Sequence, residues 1–455
     1  MAENIELQEL LELLQKKSYA QLRQKLDKMN PSDISETLEE LYDGNLIAKE
    51  ELPLLFRILP KETATETFVE MSAEMQEILI QSFSDNELRE VMDDMFLDDT
   101  VAIIEEMPAI VVKRILKNVD PATRKTINQV LNYPEDSAGS IMTIEYVSLK
   151  KDATVQQAFD HIRKTGVDKE TIYTCYVTDP NRKLIGLVTV RELLLSNNGD
   201  LIGDIMEKNI ISVTTLDDQE HVARIFNKYN FYALPVVDQE NRLVGIITVD
   251  DVLDIMEEEA TEDIEIMAAL VPSDKPYLKT GVVETWKKRI PWLLILMISA
   301  TFTGLIITSF EEALSASVVL TAFIPMLMDT GGNSGSQSSV TIIRSLSLND
   351  IELSDIFRIT WKEARVAVLC GLTLAAANFV KLMLIDRTSL QVAFVVCSTL
   401  IVTVFIAKLV GCTLPLLAKK IGFDPAVMAS PFITTIVDAI SLLVYFNIAK
   451  VVLHL

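Results

Sequence analysis

The sequence predicts a multidomain chain: an α-helical superhelical N-domain, an α/β tandem pair, a long connecting helix and a five-helix all-α transmembrane domain. Three observations predict it. Acid is concentrated in the first 270 residues, one strand-and-helix unit is repeated in tandem, and the last 185 residues hold long apolar stretches.

Residues 1 to 270 hold 53 of the 65 acids and 26 of the 41 bases, a net charge of −27, while the remaining 185 residues carry +3. The front part is therefore a negative, solvated body that attracts cations and repels nucleic acid, so no nucleic-acid partner is expected. The four cysteines, Cys175, Cys370, Cys397 and Cys412, show neither a disulfide framework nor CxxC spacing. His161, His221 and His454 are scattered, no nucleophile and base pair is visible, and no Walker P-loop occurs. These observations argue against an enzyme. The acidic start Met1 to Glu12 lacks the blocks of a cleavable signal, which predicts a cytoplasmic N-terminus.

Residues 1–132 form the predicted N-domain, where short amphipathic helices close on breakers such as Pro60 and Pro108. Asp94, Asp98 and Asp99 fall in this region, each readable as an exposed helix acid.

A different rhythm starts at Tyr133-Pro134, with β-branched strands between helices. Residues 133–200 and 201–256 are two copies of one unit: Ile141-Met142 recurs as Ile205-Met206, 64 residues later, and G-L-V-T-V-R-E-L from Gly186 recurs as G-I-I-T-V-D-D-V from Gly245. The pair resembles tandem cystathionine β-synthase (CBS) domains, in which the Thr and the acid three residues on often face a nucleotide ribose. That resemblance implies ATP as a regulator, with Arg191, Glu192 and Phe231 as candidate contacts. Packing explains Phe231 nearly as well.

Residues 257–280 are the connecting helix and linker, within one acidic helix expected from Asp250 to Leu270 and stopped by Pro272 and Pro276. A solvated connector explains its charge equally well.

Residues 281–455 are the predicted membrane domain. Apolar stretches near 290–309, 314–343, 364–385, 391–417 and 427–452 are each long enough to cross roughly 30 Å of hydrocarbon. Lys287, Lys288 and Arg289, then Arg344, Arg358, Lys362 and Arg365, then Lys419 and Lys420 place alternate joints in the cytoplasm. The joint at Glu311-Glu312 and the C-terminus are then outside, in a multi-pass protein of the cell membrane. Lys408 is readable as a snorkelling lysine whose stem reaches the cytoplasmic end.

Two features of this domain resist a lipid environment. Pro325 to Gln337 reads P-M-L-M-D-T-G-G-N-S-G-S-Q, a polar tract that must face a pore or a close helix contact. Asp329, Gly331, Gly332, Asn333, Gly335 and Gln337 are its candidate pore-lining residues. Asp438 falls at the middle of the last apolar run with no base in the span before Lys450, so its partner must come from elsewhere. A bound cation fits, and a protonated or helix-bonded carboxyl is the bland alternative.

That tract and D-P-A-V-M-A-S-P-F-I-T-T-I-V-D from Asp424 resemble the two signature stretches of the MgtE magnesium transporters, and the likeness covers essentially the whole chain. The resemblance implies a homodimeric Mg2+ channel in the lipid bilayer, with Asp438 of each copy holding hydrated ion. It also implies a plug-like connecting helix, closed by Mg2+ at Asp218, Glu220, Asp251, Asp254, Glu259, Glu262, Asp263 and Asp424, with Asp94, Asp98 and Asp99 of the N-domain as further candidate ligands. Asp329 is an acid where the family pattern has small residues, and Asn230 stands where the family commonly has Asp. The alternatives are a channel for Co2+, Mn2+ or Ca2+, and a non-conducting CBS adaptor.

Overall fold

The computed structural model describes residues 2–273, 277–311, 315, 318–348, 350–428 and 430–454. Pro276 and Glu312, and the part of the expected 314–343 stretch at 314 and 316–317, lie outside the described residues. The chain divides into two compact units, Met1–Ile255 and Met256–Leu455.

In the first unit, short helices run from Ala2–Gln15 to Pro121–Val130 and share one apolar core, Leu10 to Val130. Their boundaries follow local chemistry. Ser84 and Glu87 form a reciprocal capping box, Asp120 caps the helix that begins at Pro121, and Pro31 opens another at its first turn. Phe56, Phe68 and Phe83 cluster with ring centroids 5.4 to 6.1 Å apart. Arg57 grips Glu87 at 2.7 Å, and that bond, with the Ser84 amide, holds the Glu87 carboxyl at about 2.

The repeated unit appears as two three-stranded sheets. The first has β1 (Val147–Lys150), β2 (Thr174–Thr178) and β3 (Leu184–Thr189), and the second has β4 (Val213–Thr214), β5 (Ala233–Val237) and β6 (Leu243–Thr248). In each sheet the first strand runs parallel to the second and the second antiparallel to the third. Both carry a bulge at the matching place, Val177/Thr178 and Val236/Val237. The echoed residues have a packing reason. A Cβ at Gly186 would stand 2.4 Å from Met206 Sδ, and one at Gly245 2.7 Å from Met142 Sδ, so each Gly receives the Met of an Ile-Met pair.

The connecting helix runs Val249–Met267, ending three residues before the expected Leu270. Ala269, at φ 56°, then turns the chain in the left-handed region.

The second unit is helical. Val282–Ser309, Leu353–Leu384, Leu390–Ile421 and Pro425–Leu453 are each long and apolar enough to cross a membrane. The helix Ile324–Ser347 lies between the first two but does not meet that measure, because of its Gly and Ser content. Five crossings are thus not established by length and composition alone. The buried helix Leu390–Ile421 is central, with Val395, Val396, Leu400 and Val404 in a core shared with Leu327 and with Leu442 and Phe446 of the final helix, Ser430–Leu453.

Candidate ion pathway and acidic clusters

The helix Ile324–Ser347 has two unlike faces. Gly331, Gly332 and Gly335 are buried against neighbouring helices: added Cβ atoms would meet Thr403 Cγ2 at 2.7 Å, Thr434 Cγ2 at 3.0 Å and Ile433 Cγ2 at 2.5 Å. These glycines let the central and final helices approach, as small residues do in membrane packing. Asp329, Asn333 and Gln337, spaced by four, lie on the exposed face of the same helix. The structure thus separates the candidate tract into a packing face and a polar stripe. Two bonds tie each helix to the turn that leads into the other: Tyr445 of the final helix donates to Leu320 O at 2.9 Å, and Ser339 of the glycine-rich helix donates to Met428 O at 3.0 Å.

Asp438, on the final helix, is half-buried beside this element, within electrostatic reach of Asp329. Its Oδ1 is buried and has no hydrogen-bond partner among the described residues. An orphaned buried oxygen costs roughly 1–3 kcal/mol, a deficit that a cation or its water would relieve.

Lys408 does not snorkel. It is 5% exposed and donates to Ser338 Oγ at 3.3 Å, while Ser338 donates to Glu363 Oε2 at 2.7 Å. A polar acceptor between packed helices holds the ammonium inside.

At the Arg344 end of the glycine-rich helix, Ile343 and Ala426 form a small apolar cluster that receives Ile266 and Met267. The end of the connecting helix therefore sits on the membrane helices, one to two turns beyond Glu259, Glu262 and Asp263. Asp424 is exposed and accepts the Ala426 amide at 2.7 Å, shaping the turn into the final helix.

In the first unit, Asp98, Asp99 and Asp251 are brought together with Glu145, Glu170 and Asp250. Burial first, then Asp251, pushes Asp98 well up, and the same two causes raise Asp99 to about 7. Burial and then Asp99 raise Glu170 to about 8, and burial raises Asp251 to about 6 against a 2.6 Å bond from Thr248 Oγ1. Asp254 adds its charge next to Asp251. Sequence reasoning missed Glu145 and Glu170. Two loops bring them together, tied by the Glu170 amide to Glu145 O at 2.9 Å, and no local pattern announces that contact.

The other candidates serve local structure. Asp94 pairs with Lys61 at 2.8 Å. Asp218 caps its helix by accepting the Glu220 amide at 2.9 Å, and Glu220 stands 3.8 Å from Arg224. Asn230 ends that helix at φ 54°, a left-handed position that Asn tolerates. Glu192 closes a capping box with Thr189, Arg191 is exposed, and Phe231 stacks on Tyr229 at 5.5 Å. No group of three His, Cys, Asp or Glu is preassembled for a metal among the described residues.

The chain matches three family models: a divalent cation transporter model over residues 324–448, an MgtE intracellular N domain over 29–136, and CBS domains over 138–197 and 202–258. It is 37% identical to the magnesium transporter MgtE of Thermus thermophilus, with 98% of each chain covered. It is 32% identical to the magnesium transporter MgtE of Bacillus subtilis, covering 93% and 94%. Its fold matches the cytosolic domain of the Mg2+ channel MgtE in complex with ATP, at TM-score 0.50 and 35% identity, over 54% of this chain and 98% of that one. The soluble part of a magnesium transporter matches at TM-score 0.52 and 26% identity, over 57% and 99%. These full-length relatives are transporters rather than enzymes. With the helical domain, the duplicated α/β pair and the apolar helices in this order, the chain belongs to the MgtE family.

Proposed function

We propose that the protein conducts Mg2+ across the cell membrane, down its electrochemical gradient, and closes when Mg2+ binds its acidic cytoplasmic part. The observation that carries this reading is the orphaned Oδ1 of Asp438 beside a polar stripe that no lipid can satisfy. Two copies, each supplying the stripe and one Asp438, enclose a path lined with Asp329, Asn333 and Gln337. Magnesium keeps much of its water shell and is held by one or two carboxylates, which suits two symmetry-related aspartates. The driving force on a divalent ion is about 4.6 kcal/mol per 100 mV. The basic joints support an orientation with the N-terminus and acidic clusters inside and the C-terminus outside.

For closure, the crowded carboxylates around Asp99 and Asp251 repel one another until a divalent ion joins them. Ions that bind only the compact arrangement shift the population toward it. Asp254, Glu259, Glu262 and Asp263 extend the same charge along the connecting helix, whose end rests on Ile343 and Ala426, and Asp424 adds its charge two residues before Ala426. Asp218, Glu220 and Asp94 belong to the regulatory set only if an ion displaces their present partners. ATP is the proposed nucleotide of the duplicated pair, near Arg191, Glu192 and Phe231, since a relative's cytosolic domain was solved with it.

Flux of Mg2+, Mn2+, Co2+ and Ca2+ into proteoliposomes, each measured alone, tests the ion. Mg2+ passes fastest on this reading. A faster Mn2+, Co2+ or Ca2+ flux would move the assignment to that ion, and no flux of any would return the chain to an adaptor role.

A further inference from the structure

Lys408, Ser338 and Glu363 come from three different helices, Leu390–Ile421, Ile324–Ser347 and Ile356–Leu384. A serine hydroxyl has one proton to donate and lone pairs to accept with, so the relay has a fixed sense, from ammonium to hydroxyl to carboxylate. The backbones touch beside it: a Cβ on Gly411 would stand 2.2 Å from Gly335 O, and these two glycines are each one turn from Lys408 and Ser338. Ala407, next to Lys408, packs on Ile433 and on Val437, the neighbour of Asp438. A charge pair is thus built one side-chain layer from the helix that carries the proposed ion site.

We propose that the Lys408–Ser338–Glu363 relay adds no net charge behind the carboxylates of the ion path, and that this balance determines cation selectivity. The inference rests on reading the glycine-rich helix as part of the path. Away from water a unit charge acts over many ångströms, so loss of one partner leaves a net charge that ions in the path feel. Glu363→Gln leaves an unopposed ammonium that repels Mg2+. Lys408→Met leaves an unopposed carboxylate that admits monovalent cations. Both act as changes at positioning residues, through the charge they leave rather than by binding the ion.

The test measures Mg2+ and K+ flux for the full-length protein in proteoliposomes, using preparations that elute as a folded peak. E363Q lowers Mg2+ flux at least about three-fold, K408M raises K+ flux relative to Mg2+ by a similar factor, and K408M/E363Q returns toward the wild-type ratio. K408R, which keeps the charge, retains selectivity. A merely structural contact would not give opposite signs with recovery in the double variant. Shifts of the same sign, no shift, or additive loss in the double variant overturns the proposal. Should K408M fail to fold, E363Q decides alone, and unchanged Mg2+ flux overturns it. Wild-type flux that Asp438→Asn abolishes, without opposed shifts in the charge variants, sinks the relay and leaves the path standing. A wild type that passes no Mg2+ removes both.

Discussion

Asp438 and Lys408 carry opposite charges into one apolar domain, and their surroundings differ. Lys408 is enclosed and hydrogen-bonded, whereas Asp438 keeps a buried oxygen without a partner among the described residues. The buried ammonium has a partner within the fold, whereas the orphaned carboxylate oxygen is open to a ligand. The glycines at the helix crossing allow a separate prediction. Gly411→Ala sets a methyl against the Gly335 carbonyl, a backbone atom that cannot step aside, and should destabilise the membrane domain by about 1–3 kcal/mol. Thermal stability followed by size-exclusion chromatography checks it, and an unchanged midpoint would mean the crossing is looser than described. Asp438 was legible in the sequence because a lone carboxylate inside an apolar run stands out in one dimension. Glu363 was not, since it precedes an apolar run where acids are ordinary. Ser338 lay just past the small-residue tract and gave no separate signal.

Among the elements, the acidic cluster that brings the N-domain helix Leu97–Glu106 into the reach of Asp251 titrates at physiological pH. Asp99 at about 7, Glu170 at about 8 and Asp251 at about 6 all lie above ordinary carboxylates at 3.8 to 4.5, so the folded unit holds protons that the unfolded chain releases. Stability therefore falls as pH rises from about 4, where the unfolded carboxylates ionise, to about 8, the opposite of the usual salt-bridged carboxylate. The unfolding midpoint of the soluble unit should drop across that window, by about 2–4 °C per kcal/mol, and Mg2+ should shrink the drop by replacing the protons. Scanning fluorimetry at several pH values, with and without Mg2+, reads this directly. A midpoint that rises with pH would contradict the cluster. The glycine-rich helix yields another prediction from its period: a cysteine at Asn333 reacts with water-soluble thiol reagents, and one at Gly331 or Gly335 does not. Equal labelling would erase the distinction between the faces. That distinction was within reach of the sequence, because positions 329, 333 and 337 repeat every four residues while 331 and 335 fall on another face. Glu145 and Glu170 were beyond reach, because loop contacts alone unite them with Asp99.

For the whole molecule, the order of domains was legible because each has its own period: capped short helices, a duplicated strand unit, and apolar runs too long for a soluble core. The count of crossings was not settled in the same way, since the helix Ile324–Ser347 is too polar to be recognised by composition. Its polarity is what the proposed path requires, and a path closed by two copies predicts an exposed stripe in one. A cysteine at Asn333 should accordingly cross-link two copies in the membrane, seen as a dimer on non-reducing gels, whereas exclusively monomeric protein would leave the stripe without a facing wall. The most direct measurement is Mg2+ flux into proteoliposomes for wild type against Asp438→Ala, with both shown to be equally folded and of the same oligomeric state. The account predicts that the variant loses at least about ten-fold in flux, as removal of the only carboxylate at mid-depth of the final helix demands. Unchanged flux in Asp438→Ala would contradict it.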